Sequence, residues 1–369
     1  MRLALLLVAI PALAHADVAG SAAIGAGAQG EATYGAIDVT LTATWPGVRI
    51  GLGARGVWDD GMFRRSDWAR PADAITIVRD VEATWGPLAV AAGRLAPAHV
   101  AQLADGYRAT LDDRWRVGVR AAATTGDLVA GAEVDDVLDP ALIAGAVRWQ
   151  VAGPWAVSAA VAADPGRVLP GDAMHPARVS AGELAVAHRS EQPGAQLDVG
   201  AAVVTEVGLR DAAGASDIAP SLLAFADAAA ERYDVRYTAR ADVRAGETAS
   251  PFGPLYRIER LRDLRGHTGV GAGLTLAASA RAGWLELSLR ERPGLGGLVT
   301  FGGGAPMGRY IQAAAWTAIS RTDAAGAAEL RVAWAQKLFS AVQAARFYRL
   351  DAMPSPVWSL TAWFGAATD

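Results

Sequence analysis

The sequence predicts an all-β fold, a single transmembrane antiparallel up-and-down β-barrel of about 18 strands, with about 16 as the alternative count. Three observations lead to this prediction. Apolar and polar residues alternate along much of the chain, short turns alternate with long links, and tryptophans recur beside the short turns. In addition, no stretch beyond residue 16 has the roughly 18 uncharged apolar residues that a spanning helix needs.

The composition excludes several classes of protein. Of the 369 residues, 52% are hydrophobic and 20% are charged, and the net charge of −4 argues against a basic nucleic-acid-binding face. Because the chain contains no cysteine, it has neither a disulfide framework nor a thiolate metal site. The histidines show no metal-ligand spacing. We therefore expect no nucleic-acid partner, no metal, no cofactor and no catalytic residues.

The N-terminus has the pattern of a secretory signal peptide at 1–16. A positive start precedes an apolar run at 3–13, and Ala14-His15-Ala16 forms an A-x-A cleavage site. An anchor helix is the alternative, although about 20 apolar residues are needed to span a membrane. We expect the barrel domain to occupy 17–369 after export.

The clearest alternation lies between Asp234 and Arg244. Even positions in this segment are polar and odd positions are Val, Tyr or Ala. Successive side chains of a strand point to opposite faces, so one face is apolar and the other carries five charges. The same pattern recurs at 37–45, 48–55, 114–120, 196–203, 285–290 and 329–334.

Turns then divide the chain into strands. The first nine are expected near 19–30, 36–45, 48–58, 74–85, 88–95, 105–112, 114–123, 141–151 and 155–163. The other nine are expected near 178–189, 195–208, 232–245, 254–262, 268–281, 284–292, 310–321, 328–339 and 356–365. An even count puts both termini at the end with the short turns, which faces the periplasm in bacterial outer-membrane barrels.

Three of the links between these strands have distinctive composition. The link at 124–140 is acidic, and we expect a solvated loop rather than a Ca²⁺ site at Glu133, Asp135, Asp136 and Asp139. The link at 293–309 is glycine-rich and is expected to be a surface loop. The link at 209–231 is expected to contain a short helix, which either constricts the pore or lies outside the barrel.

Tryptophan placement favours a membrane setting. Trp45, Trp85, Trp155 and Trp284 all lie beside the predicted short turns. An aromatic belt at the membrane interface explains this common level, whereas tryptophans of a soluble sandwich concentrate at strand centres.

Two segments resemble Gram-negative porin sequences. In 83–94, a strand is followed by Gly86-Pro87, a second strand and Gly93-Arg94. At 105–108, Asp-Gly-Tyr-Arg resembles the Asp-Gly segment that opens the next strand in many such proteins. The resemblance implies the porin-like class of outer-membrane barrels, with no particular member.

The C-terminus departs from the pattern of that family. Outer-membrane barrels usually end on Phe or Trp, which serves as an assembly signal. Here the alternation runs correctly to Phe364, but five residues, 365–369, follow it. Either the signal is tolerated internally or the final strand is shifted.

The polar faces carry the functional prediction. If the apolar faces meet lipid, the charged faces line the interior, where each unpaired charge in a dry core would cost several kcal/mol. A water-filled lumen avoids this cost, and its arginine excess predicts an anion preference. The predicted pore-lining residues are Arg49, Arg55, Arg114, Arg116, Arg120, Arg236, Arg240, Arg244, Asp234 and Asp242.

We therefore expect an integral outer-membrane channel for passive diffusion of small hydrophilic solutes or ions, surrounded by lipid and existing as either a homotrimer or a monomer. The first alternative is a plugged or structural barrel that conducts nothing. The second is an outer-membrane hydrolase using His188 and Ser190, which would share one face of a strand; such enzymes pair these residue types with Asn, and this chain has none. The third is a secreted soluble β-protein.

Overall fold

The computed structural model describes most of the chain from Asp17 onward. The described residues are 17–29, 32–59, 62–63, 71–93, 95, 98–101, 103–107, 117–138, 140–165, 178–210, 215–246, 269–292, 296–307, 310–321, 323–334, 337–349 and 358–368. The predicted signal peptide at 1–16 lies outside them.

The described chain contains 23 strands, of which 20 form the wall of one closed antiparallel barrel. The first eight are β1 (Asp17–Gln29), β2 (Ala32–Trp45), β3 (Val48–Asp59), β4 (Met62–Phe63), β5 (Val78–Trp85), β6 (Leu88–Gly93), β7 (Ala98–Val100) and β8 (Ala104–Tyr107). The next eight are β9 (Gly118–Thr125), β10 (Leu128–Val134), β11 (Ile143–Ala152), β12 (Trp155–Asp164), β13 (Arg178–Gln192), β14 (Ala195–Arg210), β15 (Ala215–Arg232) and β16 (Val235–Gly246). The last seven are β17 (Gly269–Ala280), β18 (Gly283–Arg292), β19 (Gly296–Pro306), β20 (Ile311–Ser320), β21 (Asp323–Ala333), β22 (Leu338–Arg349) and β23 (Trp358–Thr368).

Three strands lie outside the wall. The two-residue β4 extends the end of β3, and β7 pairs with β8 as a separate hairpin between β6 and β9. A 3-10 helix, Pro71–Ile77, leads into β5. Among the described residues, no helix is long and apolar enough to cross a membrane.

Each wall strand pairs with its neighbours along the chain, and β1 closes the ring by pairing with both β2 and β23. Seven tight two-residue turns lie at one end of the described barrel. In six of them at least one residue adopts the positive φ that such hairpins need, and the exception is the turn between β17 and β18. These turns are Pro46-Gly47, Gly86-Pro87, Gly126-Asp127, Gly153-Pro154, Pro193-Gly194, Tyr233-Asp234 and Arg281-Ala282. We call this the short-turn end. The start of β1 and the end of β23 lie there too, as the even strand count predicts.

The barrel fold is confirmed, but the count of about 18 strands, like the alternative of 16, is corrected to 20. Four wall strands were not expected from the sequence. Predicted links contain β10, β15 and β19, and β22 lies almost entirely between the strands predicted at 328–339 and 356–365. The predicted strand at 105–112 is represented only by β8, outside the wall, and the one at 254–262 lies outside the described residues.

Two of the missed strands, β15 and β19, share one physical cause, which is that small or apolar residues occupy much of both faces. In β15, Leu222 faces outward at 67% exposure, while Leu223 faces inward and is 2% exposed. In β19, glycines stand at both inward and outward positions, so no alternation is visible in the sequence. The segment 215–232 is therefore wall, not a loop with a helix, and 296–306 is a strand rather than a surface loop.

The outer face of the wall is apolar, the reverse of a water-soluble protein. On β13, Leu184 is 66% exposed while its neighbour Glu183, on the inner face, is 5% exposed. The same inversion occurs on β16, where Val243 is exposed and Asp242 and Arg244 are buried. Large exposed hydrophobic residues recur on almost every wall strand.

Aromatic rings lie on glycines along the inner face. At six such contacts in the described wall, a Cβ added to the glycine would come within 2.9 Å of a ring atom on a neighbouring strand. The pairs are Tyr34 with Gly27, Trp363 with Gly25, Phe225 with Gly200, Phe339 with Gly365, and Trp284 with both Gly302 and Gly304. Glycine at these positions therefore allows a large ring to lie flat against the wall.

We predict that Gly200→Ala destabilises the barrel by about 1–3 kcal/mol, as overpacking does in other well-packed sites. A Cβ there would lie 2.4 Å from the Val186 carbonyl oxygen and 2.6 Å from Phe225 Cζ. The control is Gly182→Ala, because an added Cβ at Gly182 meets nothing within 4 Å. Urea unfolding of the refolded protein, followed by tryptophan fluorescence, measures both; equal effects of the two changes would contradict this account.

Candidate functional site

The interior of the barrel is the candidate site, because the charged side chains converge there. Asp198 on β14 joins three strands: its Oδ1 lies 2.9 Å from Arg189 Nε, and its Oδ2 lies 2.8 Å from Arg148 Nη1. Gln196 Nε2 also donates to Asp198 Oδ2, at 3.3 Å. Together with Glu191, Arg148 and Arg189 line a cavity of about 490 Å³ at the short-turn end.

A second set of ion pairs crosses β15 to β18. Arg240 Nε lies 2.7 Å from Asp227 Oδ1 on the neighbouring strand. Asp242 Oδ1 lies 3.1 Å from Arg290 Nη2, two strands away, and both side chains are almost fully buried. This longer contact is possible because Gly273 stands between them: a Cβ there would lie 2.6 Å from Asp242 Oδ1.

A third set lies on β2 to β10. Arg79, the residue displaced by a β-bulge in β5, has its Nη2 3.3 Å from Asp38 Oδ2. Arg49 Nε lies 2.9 Å from Asp80 Oδ2. Arg120 Nε lies 2.6 Å from Glu133 Oε2. The inner wall therefore carries many arginines, and carboxylates neutralise a large part of their charge.

The structure places most of the predicted pore-lining residues on the inner face. These are Arg49, Arg55, Arg120, Arg236, Arg240, Arg244 and Asp242, by their register with the ion pairs. Asp234 lies in the turn between β15 and β16 instead, with φ of 60°. Arg114 and Arg116 lie outside the described residues.

Several inner charges are missing from the set predicted from the sequence. Arg148 lies on a strand with visible alternation, so the period-two pattern of 143–151 could have assigned it. Arg189 lies on β13, where the alternation is less clear. Asp227 could not be found in this way, because every other residue of 224–230 on both faces is small or apolar.

Three of the four predicted belt tryptophans point outward at the short-turn end, namely Trp45, Trp85 and Trp155. Trp284 lies at the same end but on the inner face, since it pairs with Gly304 on the same side as Glu286 and Gly302. Its predicted place in a lipid-facing belt therefore differs from its position in the wall. The outward Trp149, 55% exposed, takes a comparable position on β11.

A hairpin enters the interior. The segment 98–107, containing β7 and β8, is called the inward hairpin here. Its Val100, Leu103 and Ala104 are buried against an apolar area of the inner wall. That area consists of Leu142, Ala144, Ala160, Ala162, Ala181 and Val204 from β11 to β14 and the residue just before β11.

The inward hairpin also contacts the wall further around the barrel. Arg240 Nη1, on β16, donates to the carbonyl oxygen of Ala101 at 3.2 Å. Ala101 adopts a positive φ of 47°, which turns the chain between β7 and β8. A segment that starts beside β6 thus reaches β16 and narrows the lumen. The segment 209–231, for which the sequence left a pore constriction and an external loop helix open, belongs largely to the wall strand β15.

The residues considered for other chemistry take ordinary structural roles. His188 and Ser190 face outward, and the His188 ring lies 5.0 Å from that of Trp155. No hydrogen bond joins His188 to Ser190 in the described chain. Asp135 Oδ1 accepts hydrogen bonds from the amides of Ala141 and Leu142 in its own loop, at 2.9 Å each.

The other acidic residues of that segment are used locally or lie outside the described chain. Glu133 belongs to β10 and pairs with Arg120. Asp136 Oδ1 accepts from the Leu138 amide, and Asp139 lies outside the described residues. No cluster of three potential metal ligands occurs among the described residues.

Comparison with known proteins gives structural likeness without sequence likeness. No protein-family model matches the chain, and no curated protein matches it. Pseudomonas aeruginosa OccK5 (OpdH) is similar in structure, with 10% identity over 96% of this chain and 98% of that one and a TM-score of 0.38. A BenF-like porin from Pseudomonas fluorescens has 7% identity over 96% and 99%, with a TM-score of 0.37. Acinetobacter baumannii OccAB1 has 8% identity over 95% and 96%, with a TM-score of 0.36.

The buried ion pair should contribute more stability than exposed pairs. We predict that Asp242→Asn destabilises the barrel by about 3–5 kcal/mol, because it leaves the Arg290 guanidinium buried without its counter-charge. The control is Glu191→Gln, whose carboxylate is 66% exposed and 3.7 Å from Arg189, and which should cost less than about 1 kcal/mol. Urea midpoints of the two variants compare them; a loss no larger for Asp242→Asn than for the control would disprove the assignment.

The contact between Arg240 and Ala101 should hold the inward hairpin against the wall. Because the chain has no cysteine, Leu103→Cys introduces a single thiol at a fully buried position. Adding Arg240→Gln should speed modification of that thiol about tenfold, since a hydrogen bond from a charged donor contributes about 1.5–3 kcal/mol. Arg236→Gln, on the same strand and face, is the control. Equal rates in the two backgrounds would show that Arg240 does not position the hairpin.

Proposed function

We propose that the protein is an integral outer-membrane channel through which small hydrophilic solutes or ions diffuse passively. One observation carries the proposal: a closed barrel with an apolar outer face encloses a charged inner face. The inversion at Leu184 and Glu183 is one instance. Lipid is the solvent that suits the outer face, because a closed barrel leaves no backbone group unpaired there.

The inner face supports a water-filled passage. Arg49 and Glu191 remain substantially exposed on this face, although both lie beside an oppositely charged group. Charged groups at this exposure need water, and a dry core would penalise them. The outward tryptophans at the short-turn end fit the membrane interface on the periplasmic side. Export through cleavage after Ala16 stays a prediction from the sequence, and so does existence as either a homotrimer or a monomer.

The inner wall bears on ion selectivity. The arginine excess predicts a preference for anions, but the carboxylates of Asp38, Asp198 and Asp242 each pair with arginine and lower the positive potential. We therefore propose that the channel is only weakly selective between ions, with a small preference for anions.

A second candidate function is a barrel that conducts nothing. The observation that favours it is the inward hairpin, which fills part of the interior and is packed against the wall by Val100 and Leu103. The channel and the occluded barrel differ in one measurable property, ion flow through the inserted protein.

The expected result is discrete, steady conductance steps after the purified, refolded protein is added to a planar bilayer. A KCl gradient across the bilayer gives a reversal potential, whose sign measures anion against cation preference and whose small size would fit the paired wall. Arg240→Gln should raise the conductance or its noise, since it frees the inward hairpin. Heat-modifiable migration of the same sample in electrophoresis controls for folding. Insertion of a folded barrel without conductance would refute the channel and favour the occluded barrel.

A further inference from the structure

The inner wall of β18 to β21 has a different chemistry from the rest of the described lumen. Here two tryptophans and two carboxylates face inward beside glycines of β19, and no arginine of the described residues forms an ion pair with either carboxylate. Trp284 and Glu286 lie on β18, Trp316 on β20 and Glu329 on β21. We call these four residues the aromatic–acidic patch.

Glycines on β19 form the floor of this patch. A Cβ added at Gly302 would lie 2.9 Å from Trp284 Cζ3, and one added at Gly304 would lie 2.8 Å from Trp284 Nε1. The Trp284 indole therefore lies across β19, flat against the two positions of the inner face that are glycine. At 40% exposure, it presents the face of its ring to the lumen.

The strand register places Glu286 and Trp316 near this ring, and Glu329 beside Trp316 on the next strand. Glu286 is directly opposite Gly302, which is directly opposite Trp316, so the Cα atoms of Glu286 and Trp316 are about 10 Å apart across two strand spacings. Glu329 is the diagonal neighbour of Trp316, at a typical separation of about 7–8 Å. All four side chains therefore border one area of the inner wall.

The two carboxylates are available to a ligand. No ion pair to Glu286 occurs within the described chain, and Glu329 Oε2 accepts one hydrogen bond, 3.1 Å from Gln343 Nε2. Arg331, two residues from Glu329 on the same face, instead places its guanidinium carbon 4.0 Å from the centre of the Phe339 ring. Arg236 is in the same row as Trp284 but two strands away.

We propose that the aromatic–acidic patch is a binding subsite for organic ammonium cations that pass through the channel. The face of an indole attracts a cation that sheds its water easily, and a carboxylate beside the ring supplies the counter-charge. An alkylammonium ion uses both groups, whereas a hydrated metal cation gains little from the ring and a neutral solute gains nothing from the carboxylates. The subsite rests on the proposed function, because the ligand is a permeating solute.

Tetraethylammonium is the probe. Added to the bilayer chamber, it should reduce the KCl current of the wild-type channel in a saturable way. Glu286→Gln, which removes charge without removing packing, and Trp284→Leu should each raise the half-blocking concentration about fivefold, the usual size of a cation–aromatic contribution. Trp284→Phe keeps an aromatic ring and should raise the half-blocking concentration less than Trp284→Leu does. The matched control is Glu231→Gln, an exposed inward carboxylate at the same end that faces Arg236 rather than an indole.

A calorimetric titration of the detergent-solubilised barrel with tetraethylammonium tests the subsite without conduction. If the barrel does not conduct but the titration shows binding that Glu286→Gln and Trp284→Leu weaken, the subsite holds and the proposed function fails. If the barrel conducts and tetraethylammonium neither blocks nor binds, the subsite is refuted and the channel stands. Block that is equally sensitive to Glu231→Gln, or that glucose reproduces, would also overturn the proposal.

Discussion

The pairing of β1 with β23 is the contact on which the rest of the structure depends. In lipid an unpaired backbone amide or carbonyl costs several kcal/mol, so a sheet there must close on itself. Ten residue pairs join the two strands, from Gly20 opposite Thr368 to Gln29 opposite Ser359. Closure also accounts for the residues that follow Phe364: 365–368 continue β23 and pair with β1, so the final strand extends past the aromatic residue that ends the family's usual pattern.

Closure fixes which side chains meet, because the strand register decides which residues of neighbouring strands lie opposite each other on the same face. Strands lie about 4.8 Å apart, too close for a long side chain to cross a neighbour that carries a bulky one. The inner wall meets this limit with glycine. Asp242 reaches Arg290 across Gly273, and Phe225 covers Gly200. The same geometry serves a charge pair in one place and a ring in the other, so glycine placement decides where the wall can carry long-range contacts.

The sequence was most informative where the two faces differ in polarity. The bounds of β16 and β3 agree with the prediction within a few residues, because charged and apolar residues alternate in them. In β15, Leu222 and Leu223 face opposite sides of the wall but have the same polarity, so the sequence predicts a loop with a helix there instead of a strand. Trp284 shows a second limit. The sequence correctly places Trp284 beside a short turn. Whether its side chain points inward or outward depends on its pairing with Gly304 on the neighbouring strand.

The inward hairpin could not have been predicted from local pattern at all. Its burial depends on Ala144 and Ala160, small residues on two strands distant in sequence, and on Arg240 more than a hundred residues away. Alanines on the inner face of a strand do not by themselves indicate that another segment packs against them.

The inward hairpin and the aromatic–acidic patch occupy different parts of the described wall. The hairpin covers β11 to β14 and reaches Arg240 on β16, whereas the patch lies on β18 to β21. A solute that passes the hairpin must therefore move along the remaining side of the lumen, where Trp284 presents its ring. On the proposed function, the hairpin limits the size of the solute, and the wall of β18 to β21 acts on its charge through Glu286 and Glu329. This separation lets one property change by mutation while the other is retained, because none of the hairpin contacts described above involves the four residues of the patch.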